Sequence, residues 1–121
     1  MRLFALRGAA TVDANDGDQI LAATETLIRA IMERNALAPE DVVSAIFTLT
    51  PDLDAEFPAV AARRLGFEAV PLLCAREVPV PGALPRVIRA LIHFYADESH
   101  TVRHVYLGEA RRLRSDLESA Q

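Results

Sequence analysis

The sequence contains no lysine, and each of its thirteen basic residues is an arginine. This absence excludes the chemistry that depends on a lysine amine: Schiff-base formation, a lysine general base and the phosphate-binding lysine of a P-loop. Cysteine is nearly absent as well. The single residue, Cys74, cannot form a disulfide within the chain, which predicts a reducing compartment.

Long apolar runs are also missing. No run approaches the ~20 residues that a membrane span needs, and residues 1–7 lack the apolar segment of a signal peptide. A net charge of −4 and a pI of about 5.3 argue against nucleic acid or an anionic membrane as a partner. The three histidines have no metal-ligand spacing. We therefore predict a cytoplasmic protein without a metal or other cofactor.

The chain is short but rich in apolar residues. Its 121 residues predict one domain, 1–121, with a mobile C-terminal tail over 115–121. Its hydrophobic content of 51% is high for a domain of this size. Some of that apolar surface is therefore expected to lie between subunits.

Hydrophobic periodicity predicts four strands and three helices in the order β-α-β-α-β-α-β. The predicted strands cover 2–7, 42–49, 69–74 and 101–107, and the predicted helices cover 16–35, 58–65 and 84–95. Pro71 predicts an edge or a bulge for the third strand, whereas the apolar second strand is expected to be covered on both faces. This order is typical of a single-domain α/β or α+β fold with a mixed sheet.

Side chains suited to catalysis or to ligand binding occur at few positions. The apolar run from Leu72 ends in Cys74, Arg76 and Glu77, and Arg89 follows on the predicted third helix. Arg7 lies at the expected end of the first strand, where Gly8 lets the backbone bend or be approached closely. Together with Arg63 and Tyr106, these residues surround one carboxylate and one phenol with arginines. They include no conventional nucleophile–base pair, which favours a small-anion site that works by binding and orientation.

Ordinary structural roles compete with this interpretation. An arginine at a strand end commonly pairs with an acid, an arginine beside an apolar stripe is usually solvated, and a lone cysteine is usually a small buried hydrophobe. A tyrosine on a strand is normally a core aromatic. The functional interpretation depends on all of these residues belonging to one pattern.

Short motifs spread over about 110 residues carry such a pattern. They are Arg7-Gly8-Ala9, Thr50-Pro51-Asp52-Leu53, Phe57-Pro58-Ala59, Cys74 with Glu77, Ile88-Arg89, Arg103-His104-Val105-Tyr106-Leu107, Leu113-Arg114 and Asp116-Leu117. In this order and spacing the chain resembles the monofunctional, barrel-like class of chorismate mutases.

The resemblance implies a homotrimer that forms a pseudo-α/β-barrel, with active sites between neighbouring subunits. It implies conversion of chorismate to prephenate, a step toward phenylalanine and tyrosine, with Arg7, Glu77 and Arg89 as catalytic residues. The substrate-contacting set that it implies is Arg7, Phe57, Ala59, Arg63, Leu73, Cys74, Ala75, Arg76, Glu77, Arg89, Tyr106 and Leu113.

Within that set, the chemistry of the reaction implies distinct roles. Arg7 and Tyr106 are expected at a substrate carboxylate and on the ether-oxygen side, and Arg89 at the ether oxygen itself. Glu77 is expected to accept the ring hydroxyl and to orient Arg89, with Cys74 as a pocket contact. Two alternatives stay open at this point: a trimeric enamine/imine deaminase-like enzyme, and a non-catalytic trimeric protein that binds small anions.

Overall fold

The structure, a computed structural model, describes residues 1–113, so the predicted mobile tail over 115–121 lies outside them. Its strands are β1 (Arg2–Thr11), β2 (Val42–Leu49), β3 (Leu72–Arg76), β4 (Val87–Ala96) and β5 (Val105–Tyr106), and its helices are α1 (Gly17–Arg34) and α2 (Pro58–Arg64). Short 3-10 turns occur at Pro39–Asp41 and Gly108–Ala110.

The strands form one mixed sheet in the order β3-β2-β4-β1-β5. β4 is antiparallel to β1 and to β2, whereas the outer pairs β2–β3 and β1–β5 are parallel. The helices α1 and α2 pack on one face, where Leu6, Phe47 and Phe94 join Leu27 and Ile31 in the main core. We call the other side the open face, because within residues 1–113 it is covered only at one end.

That covered end lies beside β1 and β4. Ala9 and Val87 pack there with Ala110, and Leu84, Tyr106 and Leu113 pack around them. The prediction that β2 is covered on both faces is therefore wrong for residues 1–113 of a single chain. Phe47 is fully buried, whereas Ile46 and Thr48, which point to the open face, stay partly exposed.

The third predicted helix, 84–95, is also wrong, because β4 occupies this segment and forms the centre of the sheet. Both interpretations share the apolar positions 88 and 92, since a spacing of four residues fits a strand as well as a helix. Alternating burial decides the matter: Ile88, Ala90, Ile92 and Phe94 are buried, and the residues between them are more exposed. β-Branched and aromatic side chains favour the strand.

β1 continues past the predicted end at residue 7, so Arg7 lies in the middle of a strand. Of the two roles expected for Gly8, close approach is the correct one. A Cβ at this position would lie 2.8 Å from Ile31 Cδ1 and 3.2 Å from Leu27 Cδ1. The missing side chain therefore lets α1 rest directly on β1.

The helix predictions at 16–35 and 58–65 are confirmed to within a residue or two. Asp16 caps α1 by accepting the Gln19 backbone N–H at 3.0 Å. Pro58 begins α2, and Gly66, with φ of +99°, follows its end. β3 is an edge strand as Pro71 predicted, but it begins after that proline and covers Leu72–Arg76 instead of 69–74.

The last strand is much shorter than the predicted 101–107. Before β5, side chains take the place of the backbone hydrogen bonds of a strand. Asn35 accepts the Arg103 backbone N–H and donates to the Arg103 carbonyl, both at 2.9 Å. His104 accepts the backbone N–H of Arg7 through Nδ1, also at 2.9 Å. The chain is therefore fixed before β5 begins.

The Thr50-Pro51-Asp52 motif fixes the start of β4. The Asp52 carboxylate accepts the Arg86 backbone N–H at 3.0 and 3.2 Å and the Thr50 hydroxyl at 2.5 Å. The Thr50 hydroxyl oxygen in turn accepts the Val87 backbone N–H at 2.9 Å. Arg86 has φ of +52°, a conformation that costs free energy for a non-glycine residue. These contacts hold it and set the register in which Arg89 enters the sheet.

Candidate active site

One row of residues crosses the open face from β2 to β5. Thr48 lies opposite Arg89, Arg89 lies opposite Ala9, and Ala9 lies opposite Tyr106. Directly paired residues share a face, and Arg7 shares it because it precedes Ala9 by two positions. A cavity of about 280 Å³ opens along this row, lined by Arg7, Gly8, Ala9, Ile46, Thr48, Arg89, Ala90, Leu91 and Tyr106.

Arg89 and Glu77 form an ion pair at the edge of this cavity. The Arg89 Nε–H donates to both carboxylate oxygens of Glu77 at 3.0 Å. The Thr48 hydroxyl donates to Oε2 of the same carboxylate at 2.7 Å. The Glu77 side chain is only 15% exposed, so these donors replace much of its lost hydration. The contact between Glu77 and Arg89 that the sequence predicted is present.

Three donor groups around the cavity remain unused within residues 1–113. Only the Nε–H of Arg89 donates to Glu77, so the two amino groups of Arg89 have no partner among residues 1–113. The Arg7 guanidinium has none either, and the buried Tyr106 hydroxyl makes no hydrogen bond to any described residue. The residues that line the cavity include no acid. A buried polar group without a partner is costly, so this arrangement fits a bound anion with several oxygens.

His104 was not among the predicted site residues, although it contacts one of them. Its Nδ1 accepts the Arg7 backbone N–H, which only the neutral imidazole can do in this geometry. Burial and the neighbouring Arg7 cation lower the pKa of His104 below its usual 6.5. The sequence contained one signal for this role, since His104 stands two positions before Tyr106 and alternation places both on one side of the strand.

A second group of predicted residues lies at the β3 edge of the sheet. A separate cavity of about 210 Å³ is lined there by Leu49, Leu53, Asp54, Phe57, Cys74, Ala75 and Arg76. Cys74 pairs with the buried Phe47 and packs against the main core, so its side chain points away from the open face. Phe57 is 64% exposed, and Arg76 donates to the Pro51 carbonyl at 3.2 Å.

The remaining predicted residues are spread around these two cavities. Ala59 is buried in the main core, whereas Arg63 is exposed on α2. Leu73 pairs with Ile46, faces the open side and is 61% exposed. Leu113 packs in the same small cluster as Tyr106.

The two cavities share no lining residue. We call Arg7, Thr48, Glu77, Arg89 and Tyr106 the arginine group, and Phe57, Arg63, Cys74 and Arg76 the edge group. One chain brings together the members of the arginine group and leaves the edge group apart from it. The sequence could not show this separation, because it depends on which way β3 faces.

No helix within residues 1–113 is long and apolar enough to cross a membrane.

Comparison with known proteins identifies the family. Residues 3–117 match the chorismate mutase type I family. The chain is 52% identical over 118 residues to chorismate mutase AroH of Thermus thermophilus, covering 96% of this chain and 97% of the relative. It is 41% identical over 119 residues to chorismate mutase AroH of Bacillus subtilis (strain 168), covering 97% of this chain and 94% of that relative.

A solved structure gives the same result. The chorismate mutase from Clostridium thermocellum superposes with a TM-score of 0.87 at 44% identity, covering 90% of this chain and 98% of that one. The mixed five-stranded sheet with its helices therefore matches the fold of these enzymes. The family predicted from the sequence is confirmed, and the deaminase-like alternative is set aside. The chain belongs to the chorismate mutase type I family.

Proposed function

We propose that this chain converts chorismate to prephenate, in the biosynthesis of phenylalanine and tyrosine, through the residues of the arginine group. One observation carries the assignment of the site. Two guanidinium groups and a buried phenol hydroxyl surround a cavity whose described lining contains no acid, and the Arg7 guanidinium, the amino groups of Arg89 and the Tyr106 hydroxyl have no partner among residues 1–113. Chorismate is a dianion that also carries an ether oxygen and a ring hydroxyl, and it matches these donors and the nearby carboxylate.

The reaction is an intramolecular pericyclic rearrangement, so no proton has to move and no covalent intermediate is needed. The protein has to hold a flexible substrate in its reactive chair-like conformer. It also has to stabilise the negative charge that grows on the ether oxygen as the C–O bond breaks ahead of C–C bond formation. Fixed arginines suit both tasks because they stay charged and bind carboxylates through two parallel hydrogen bonds.

Four members of the group, Arg7, Glu77, Arg89 and Tyr106, then have distinct roles. The Arg7 guanidinium binds a substrate carboxylate, and the Tyr106 hydroxyl supplements it. The amino groups of Arg89 face the ether oxygen, since its Nε is occupied by Glu77 at 3.0 Å. Glu77 accepts the ring hydroxyl of the substrate while it keeps Arg89 oriented. Cys74 serves as a pocket contact and not as a nucleophile.

The complete site, in this proposal, forms between subunits of a homotrimer. The open face exposes an apolar surface that residues 1–113 do not cover: Leu3, Leu73 and Tyr95 are 48%, 61% and 47% exposed. A sheet with one bare apolar face favours association. The separate edge group, with its exposed Phe57 and Arg63, supplies the second wall from the neighbouring subunit. Light scattering at micromolar concentration is expected to give a trimer, and a monomer would exclude this arrangement.

A direct assay tests the activity. Purified protein is mixed with chorismate, and the loss of the diene absorbance is followed together with the appearance of prephenate. We expect stoichiometric conversion by the wild type and a loss of about a hundredfold or more in kcat for Arg89→Ala. A wild-type rate no higher than that of buffer would contradict the function. Equal rates for the two proteins would contradict the site.

The cytoplasm, where such a biosynthetic step takes place, is the compartment that we propose.

A further inference from the structure

Thr48 contacts Glu77, and neither the sequence pattern nor the proposed roles account for this contact. Its hydroxyl donates to Glu77 Oε2 at 2.7 Å, a normal length for a hydroxyl on a carboxylate. The same oxygen also accepts the Arg89 Nε–H at 3.0 Å. Oε1 receives only the Arg89 Nε–H from residues 1–113. The two oxygens of the carboxylate therefore differ in how many of their acceptor sites the protein fills.

The fold fixes the position of the Thr48 hydroxyl. Thr48 pairs with Arg89 on one side and with Ala75 on the other, so its side chain lies on the open face between the strands that lead to Arg89 and to Glu77. The Glu77 backbone N–H donates to the Leu49 carbonyl at 2.9 Å, which holds the base of the glutamate beside β2. A β-branched residue on a strand has few χ1 rotamers, so its hydroxyl direction is well defined.

We propose that Thr48 is a positioning residue for the proposed reaction, which determines which oxygen of Glu77 receives the substrate. An ionised carboxylate offers about four acceptor sites. With two donors on Oε2, the ring hydroxyl of chorismate is directed to Oε1. Because both donors also fix the plane of the carboxylate, Thr48 holds the Arg89 fork at the angle that aims its amino groups into the cavity. This inference rests on the proposed function of Glu77 and Arg89.

Three substitutions at Thr48 test the role. Thr48→Val keeps the shape and removes the hydroxyl, Thr48→Ser keeps the hydroxyl and removes the methyl, and Thr48→Ala removes both. We expect Thr48→Val and Thr48→Ala to lower kcat/KM by about ten- to a hundredfold, the usual effect of a hydrogen bond to a charged group. Most of the loss is expected in kcat, because misaligned Arg89 weakens transition-state binding above all. Thr48→Ser is expected to stay within about threefold of the wild type.

Ser44 provides a matched control on the same strand and the same face. Its hydroxyl lies 3.2 Å from His93 Nδ1, away from the cavity, and Ser44→Ala is expected to leave kcat and KM unchanged. Thermal unfolding of all variants separates folding from function. If Thr48→Val does not fold, the contrast between alanine and serine decides.

Two results would overturn the role of Thr48. One is a Thr48→Val enzyme with near-native kcat/KM. The other is an equal loss in the valine and serine variants, which would show that shape matters and the hydroxyl does not. The proposed function is tested separately by the wild-type rate. A wild type that converts chorismate while Thr48→Val is unaffected would leave the function in place and remove only this inference.

Discussion

Replacing Arg89 by citrulline separates its charge from its shape. Citrulline is nearly the size of arginine and keeps the Nε–H, but it exchanges one amino group for an oxygen and is neutral. In this structure the Nε–H is the atom that donates to both Glu77 oxygens at 3.0 Å. The contact with Glu77 and the Thr48 hydrogen bond to that carboxylate are therefore expected to persist. What changes is the group that, in the proposed mechanism, faces the ether oxygen.

The size of the effect follows from that geometry. Loss of one preorganised donor at a developing oxyanion costs about 3–4 kcal/mol in other enzymes. Citrulline removes the cation and leaves the charge of Glu77 uncompensated beside the reacting bond, so the loss is expected at this level or above it. It corresponds to a decrease of about a hundred- to a thousandfold in kcat. KM is expected to change by less than about tenfold, because Arg7 and Tyr106 still bind the substrate.

The assay is the initial rate of chorismate loss as a function of substrate concentration, with variants made by incorporation of the non-standard residue. Citrulline at Arg64, which is exposed on α2, serves as the matched control and is expected to have wild-type kinetics. A citrulline variant at position 89 with near-native kcat would refute the electrostatic role. Selection of the reactive conformer would then have to account for the catalysis.

Three further changes have definite expected outcomes. Asp52→Ala removes the acceptor of the backbone N–H of Arg86, the residue whose φ is +52°. Urea unfolding is expected to show a loss of about 1–3 kcal/mol in the free energy of unfolding. An unchanged unfolding midpoint would contradict this anchoring role. The lowered pKa of His104 means that its contact with the Arg7 backbone stabilises the fold fully above pH ~6.5 and is lost as the pH falls through the folded-state value. His104→Asn keeps an acceptor that does not titrate, so its melting temperature is expected to fall less than that of the wild type between pH 7.5 and 5, and parallel curves would refute the link. Cys74→Ala is expected to keep most of the activity because the thiol packs toward the core, and a covalent adduct during turnover would show that role to be wrong.

The sequence predicted the parts of the fold whose signals are local. The α1 and α2 boundaries follow from Asp16, Pro58 and Gly66, each of which acts on its own backbone neighbourhood. β2 was also predicted with its observed bounds, because a continuous run of β-formers offers no competing period.

The errors occurred where local signals were ambiguous. The segment 84–95 carries a helical stripe and a strand alternation at once, and only pairing with β1 and β2 on both sides makes it a strand. The last strand was overestimated because Asn35 is 68 residues away from Arg103 in sequence, so its hydrogen bonds in place of the ladder could not be predicted. Tertiary contacts decided both cases.

The site residues also divide into those that the sequence indicated and those that depend on tertiary contacts. Recognition of the motifs led to Arg7, Glu77, Arg89 and Tyr106, and the register of the sheet places Arg7, Arg89 and Tyr106 around one cavity. The sequence did not point to Thr48, because its contact with Glu77 depends on lying between β3 and β4, which the wrong helix at 84–95 concealed.

The central claim is that catalysis requires the arginine group of one subunit and the edge group of its neighbour. Complementation between two inactive variants tests it most directly. Arg89→Ala disables the arginine group and Arg63→Ala disables the edge group, and the two chains are co-expressed with different tags so that only trimers containing both are purified. In a closed ring of three such chains, one interface unites the two intact groups, so about one-third of the wild-type kcat per trimer is expected. Activity no greater than that of the separate variants would show that each site lies within a single chain and would contradict the account.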